Sequence, residues 1–254
     1  MTIELNDKDI DFERETSKRY SEIAEGYASD SRSILNPVQK QELNLFESLF
    51  PNRPAKIIDI GCGTGKAGKY LASRGNLVYN LDLSSGMLCK AKDLFKIDDL
   101  TFIPILANMR NLPFQDSSFD GICSIASLIH ISPENRNLVF EEFSRILKPK
   151  GIIYLSVQNM LSPRHIKRII QSSFCNLGFD EEGTYYIEHK KINDLLNINL
   201  YQRLRQGYAY LDQRHWFYPT KIEFYKKLKT NSLAPVWSSG SFSDRLSVIA
   251  IKEK

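Results

Sequence analysis

The 254-residue sequence predicts an α/β fold: a doubly wound, mostly parallel sheet, with a helical cap inserted before the last strands. Three observations predict it. Short apolar runs alternate with segments of helical period, and strands joined through helices run parallel. A glycine-rich loop, Gly61-Cys62-Gly63-Thr64-Gly65, follows the first apolar run, where a strand would hand the chain to a helix. A compact β-type run at the end, "DRLSVIAIKEK", is suited to closing one sheet edge.

The elements follow in order. "ERETSKRYSEIAEGYASDSR" sets Tyr20, Ile23, Ala24 and Tyr27 at helical spacing. The runs "KIIDI", "NLVYNLDL", "TFIPILA", "FDGICSI" and "GIIYLSV" are short enough for strands and mostly too apolar for half-exposed ones. In "GKAGKYLASRG" the helix is expected to end with Gly75 at C′. Ser84 caps a helix with Met87, Leu88, Ala91 and Phe95 on one face. Ser132 and Pro133 read as N-cap and N1 of a helix carrying Val139, Phe143, Ile146 and Leu147 inward. From about 159 to 232 the alternation is lost, and charge and aromatics dominate. The expected organisation is one domain over 1–254: an N-terminal helical lid (1–50), a cofactor-binding core (51–158), a substrate cap (159–232) and terminal strands (233–254).

Composition narrows the class. Hydrophobic content of 42% and charged content of 25% are ordinary for a soluble protein, and a net charge of +4 is too small to argue for nucleic acid. The opening residues are acidic and polar, unlike a signal or transit peptide, and no apolar run approaches the ~20 residues that span a bilayer. Cys62, Cys89, Cys123 and Cys175 show neither a CxxC pair nor metal spacing. Reduced thiols in the cytoplasm, with no membrane and no metal, are the expectation. Nothing in the sequence sets an oligomeric state.

In an open parallel sheet, ligands bind beyond the carboxyl ends of the strands, where strand order reverses. Glycines there let a ligand lie against bare backbone. The next run ends in "LDLSS", which sets Asp82 where a ribose diol needs an acceptor. These residues describe a nucleoside-bearing cofactor. "GTGKAG" (Gly63, Gly65, Gly68) also satisfies G-x-G-x-x-G, the dinucleotide pattern.

The motifs "DIGCGTG", "LDLSSGML", "LPFQDSSFDGI" and "EEFSRILKPKGIIYLSV" stand in that order. Together they resemble the class I S-adenosylmethionine-dependent methyltransferases, type 11-like, over roughly residues 16 to 157 plus the terminal strand. The resemblance implies a Rossmann-like, seven-stranded sheet with an antiparallel edge strand, an enzyme, and S-adenosyl-L-methionine as cofactor. It implies that Gly61, Gly63 and Gly65 line the methionine part and that Asp59 helps to position it. Asp82 would accept from both ribose hydroxyls, and Leu83 and Met87 would lie beside the adenine, with Asn108 and Met109 completing that end. The family commonly has an acid at 108; Asn108 keeps an acceptor oxygen without the charge. Where the family prefers Gly-Gly, this chain has Lys150-Gly151, so a type I turn ending on Gly151 is expected.

Methyl transfer from a sulfonium is an in-line displacement that mainly needs alignment and exclusion of water, so the sequence states the cofactor better than the acceptor. His130 would take a proton from an acceptor hydroxyl or amine, or pack as a wall residue. Tyr20 and Tyr27 form either a core-docking stripe or a lid with aromatic faces near the sulfonium. Arg32 would reach the cofactor carboxylate or stand exposed.

The cap carries Arg164, Lys167, Arg168, Lys190, Lys191, Arg203, Arg205 and Arg214, interleaved with Tyr185, Tyr186, Tyr201, Tyr208, Tyr210, Trp216, Phe217 and Tyr218. An amphipathic cap over a small-molecule acceptor is the first reading. RNA is the second: the core motifs also resemble the tRNA wobble-uridine carboxymethyl methyltransferases, and basic residues among aromatics grip phosphates and stack bases. Asp180, Glu181, Glu182, Glu188, Asp194 and Asp212 dilute such a surface. A non-catalytic subunit that binds the cofactor is the third.

Overall fold

Each apolar run of the core forms a strand in a computed structural model that describes residues 7–30, 34–158, 208–211, 214–217, 221–239 and 245–253. Helices α1 (Asp7–Glu22), α2 (Ala24–Ala28) and α3 (Pro37–Ser48) precede the sheet. The core continues as β1 (Lys56–Ile60), α4 (Lys66–Ala72), β2 (Leu77–Asp82), α5 (Ser85–Lys96), β3 (Ile103–Leu106) and β4 (Phe119–Ile125). A 3-10 turn (Leu128–His130), α6 (Arg136–Ile146) and β5 (Leu147–Gln158) follow. A hairpin, β6 (Tyr208–Leu211) and β7 (Arg214–Phe217), then leads to α7 (Lys221–Thr230), β8 (Leu233–Ser238) and β9 (Arg245–Lys252).

Local chemistry accounts for the helix ends. Ser84 Oγ accepts from the Met87 N–H at 3.2 Å, and Met87, Leu88, Ala91 and Phe95 are buried as their spacing predicts. Gly75, at φ +88°, closes α4: its N–H reaches Ala72 O and the next N–H reaches Leu71 O, a Schellman pattern. Asn36 and Gln39 form a capping box that starts α3. The helix expected from Ser132-Pro133 begins later, at Arg136, after a turn; Val139, Phe143 and Ile146 face inward, and Leu147 opens β5.

The seven-stranded sheet has the order β3-β2-β1-β4-β5-β9-β8. Pairs from β3 to β5 are parallel, and β9 runs antiparallel between β5 and β8 at one edge. Strand alternation divides the core. Ile58, Ile60, Ile153 and Leu155 face α6 and α7, while Ile57, Ile152 and Tyr154 face α3 and α4. Two expected boundaries move accordingly. α3 lies in the core rather than the lid, with Leu43 and Phe46 fully buried, and α7 packs Phe224 against Phe140 with ring centroids 5.7 Å apart.

A bend near the start of β5 corrects the sequence expectation. Lys150 itself takes φ +62°. A Cβ at Gly151 would lie 2.7 Å from Leu147 Cγ and 2.8 Å from Lys148 O. The glycine is therefore used for close packing, and the left-handed conformation falls to its exposed neighbour. No helix among the described residues is long and apolar enough to cross a membrane, and no group of three or more His, Cys, Asp or Glu among them could hold a metal ion.

Candidate active site

Strand order reverses between β1 and β4, and a cleft of about 940 Å³, part of it open to solvent, lies beyond the carboxyl ends of these strands and β2. Of the residues expected there, Tyr20, Tyr27, Gly61, Gly63, Asp82, Leu83, Met87, Asn108, Met109 and His130 line it. Asp59 and Gly65 do not, and Arg32 lies outside the described residues. So do the cap residues expected between 159 and 207.

The glycine loop is built by the end of β2. The N–H groups of Gly61 and Cys62 both donate to Leu81 O, at 2.7 and 3.0 Å. Gly61 (φ +68°) is pressed on Ser127, whose Cβ a methyl group would meet at 2.2 Å. Gly63 (φ +54°) differs: a Cβ there would meet nothing within 4 Å, so its bare Cα borders open cleft. Gly65 is used inside the protein, because a Cβ would lie 2.9 Å from Ala91 Cβ on α5.

Asp82 forms the other side of the loop. Its Oδ2 accepts from the Gly63 N–H at 2.8 Å and its Oδ1 from the Ser84 N–H at 2.9 Å. Burial raises its pKa above the ordinary carboxylate value, and these backbone N–H groups pull the other way. Leu83, beside it, is left 38% exposed. Lys66 also borders the cleft; burial, and then Arg245, lower its pKa to about 8 against the attraction of Asp59. The Cys62 thiol is pushed well above its ordinary value by burial and then by Asp82 and Asp59.

α1 roofs the cleft. Ser17 Oγ donates to Leu83 O at 2.9 Å, and the hydroxyls of Ser21 and Ser84 meet at 2.7 Å. Tyr20 Oη and His130 Nε2 are 2.9 Å apart, and Tyr20 packs edge-on to both His130 and Tyr27, with centroids at 5.2 and 6.0 Å. Glu13, Thr16 and Ser17 line the cleft as well, and sequence reasoning missed them. Their signal was present, since Glu13, Ser17 and Tyr20 recur at i, i+4 and i+7, but polar residues at that period read as a solvated face.

Comparison with known proteins places this architecture. Residues 58–155 match the family described as a methyltransferase domain. Residues 58–155, from β1 into β5, are thus similar to a methyltransferase domain. The bifunctional biotin biosynthesis protein BioHC of Saccharophagus degradans is 34% identical over 140 residues, 55% of this chain and 24% of that protein. Methyltransferase GfsG of Streptomyces halstedii is 31% identical over 164 residues, 60% of this chain and 57% of GfsG. The chain thus spans a quarter to somewhat over half of these relatives, 24% and 57%. Among solved structures, a Burkholderia thailandensis 1,6-didemethyltoxoflavin-N1-methyltransferase, with its namesake compound and S-adenosylhomocysteine bound, shares the fold. The TM-score is 0.65 at 15% identity, covering 100% of this chain and 94% of that one.

Proposed function

We propose that the chain binds S-adenosyl-L-methionine in this cleft and methylates a small organic acceptor in the cytoplasm. One observation carries the reading: the Asp82 carboxylate at the tip of β2 borders the cleft beside the bare Cα of Gly63. A carboxylate held by backbone N–H groups accepts a vicinal diol, and a Cα with open space before it admits a ligand against the backbone. The residues therefore fit the cofactor. When bound, it supplies an activated methyl group on a sulfonium.

The chain's own residues do the rest. Asp82 orients the ribose, and Leu83 and Met87 flank the base. Tyr20 and Tyr27 exclude water and offer aromatic rings to the cation. A proton released by the acceptor would be held at His130 Nε2, with Tyr20 Oη beside it at 2.9 Å. A small acceptor is favoured because β7 packs against α1 and the 3-10 turn, the two elements that carry Tyr20 and His130 at the cleft.

The test is methyl-labelled cofactor added to a cell extract with the purified protein. Label is expected in small molecules and should resist ribonuclease. Label lost to ribonuclease would establish the RNA reading instead, and cofactor binding without any labelled acceptor would establish a non-catalytic subunit.

A further inference from the structure

Residue 108 is where the resemblance calls for a carboxylate, and the chain has an amide there. The structure shows what that amide does. Asn108 Oδ1 accepts from the Arg110 N–H at 2.9 Å, and Asn108 Nδ2 donates to Glu13 Oε2 at 2.6 Å. The partners fix this orientation, because a backbone N–H requires the oxygen and a carboxylate requires the NH₂. The acceptor oxygen of Asn108 is thus turned into its own loop. Its donor side is aimed at a carboxylate that arrives from α1, 95 residues away in sequence.

Glu13 is 6% exposed and borders the cleft together with Asn108, Leu83 and Met87. Burying a carboxylate is expensive without a counter-charge. Arg110 provides one, with Nε 2.9 Å from Oε1 and 3.1 Å from Oε2 of Glu13 and a side chain only 5% exposed. We infer that Glu13 is the carboxylate that recognises the exocyclic amino group of the cofactor's adenine, in place of residue 108. This rests on the cofactor reading above. It also explains the amide: an aspartate at 108 would face Glu13 across 2.6 Å, and two carboxylates at that distance cannot both ionise. One consequence is that recognition of the base and docking of α1 become a single event, since the recognising group travels with the helix.

The test compares calorimetric affinities for S-adenosylhomocysteine and S-inosylhomocysteine, which carries an oxo group where adenine carries the amine. A carboxylate attracts the first and repels the second. Glu13→Gln is expected to narrow the adenine preference by about tenfold or more, the scale of a hydrogen bond to a charged group. Asn108→Asp alone is expected to weaken binding. The double variant Glu13→Gln/Asn108→Asp should restore both affinity and preference, because the carboxylate then comes from the other side of the same pair. Should Glu13→Gln fail to fold, Glu13→Asp keeps the charge for Arg110 and is read the same way. Equal weakening of both ligands by the position-13 variant would reduce Glu13 to a docking residue, and unchanged preference would remove it from the base. A wild-type protein that does not bind S-adenosylhomocysteine would overturn the cofactor reading itself.

Discussion

Asp59 and Asp82 stand near the ends of neighbouring strands, yet only Asp82 reaches the cleft. Asp59 follows Ile58 on β1, so its side chain falls on the opposite face, beneath α4, where Oδ2 accepts from the Gly68 N–H at 2.9 Å. It is 1% exposed, and burial is the main reason its pKa rises from 3.8 to about 7, with the Gly68 N–H opposing and the Asp82 charge adding to the shift. A raised folded pKa means that the folded state keeps a proton that the unfolded state has released. The stability linked to Asp59 is therefore full below about pH 4 and is lost as pH rises through about 7. Asn at this position can still accept from Gly68 and carries no charge. Urea unfolding of Asp59→Asn from pH 4 to 7 is expected to show a flatter decline than wild type; parallel curves would mean that Asp59 is ionised throughout.

α1 is held against the core by polar contacts and by one missing side chain. A Cβ at Gly86 would lie 2.8 Å from both the backbone oxygen and Cα of Ser21, so the helix could sit where it does only over a glycine. Gly86→Ala is expected to displace α1, speed hydrogen exchange along 12–22 and weaken S-adenosylhomocysteine binding severalfold. The melting temperature is expected to fall modestly as well, because the atoms that the methyl group meets are backbone and α1 must give up part of its contacts. Unchanged exchange and affinity would show that α1 tolerates the methyl group and that its docking is not tied to this contact. At this scale the sequence was only half legible. The helical spacing of Tyr20, Ile23, Ala24 and Tyr27 marks a helix, and α1 and α2 form there. The face carrying Glu13, Thr16 and Ser17 gave no apolar signal, although Glu13 and Thr16 are buried to 6% and 4% exposure.

For the whole molecule, the cleft lies at the switch point of the seven-stranded sheet, with β2, β4 and the glycine loop after β1 each supplying part of its lining. A ligand bound there ties these strands together and stabilises the folded state. At a hundredfold excess over Kd the gain is about 2.7 kcal/mol. For a chain of this size that is about 5–10 °C in Tm. S-adenosylhomocysteine is expected to produce such a shift in wild type, and Asp82→Ala is expected to abolish it. The ligand-free Tm should also fall by a few degrees, because the Gly63 and Ser84 N–H groups lose their acceptor. A full shift in the variant would remove Asp82 from the binding site.

The sequence by itself determined the parallel core, the capped helices, the glycine loop and the carboxylate at the tip of β2. These follow from periodicity, caps and turns, whose causes lie within a few residues of one another. Only the tertiary structure decided that Asp59 turns under α4, that Lys150 takes the left-handed turn, and that Glu13 meets Asn108 and Tyr20 meets His130 across 95 and 110 residues. The physical reason is that such pairings depend on where α1 comes to rest. A polar side chain on a helix reads the same in sequence whether it faces water or a carboxamide across a cleft.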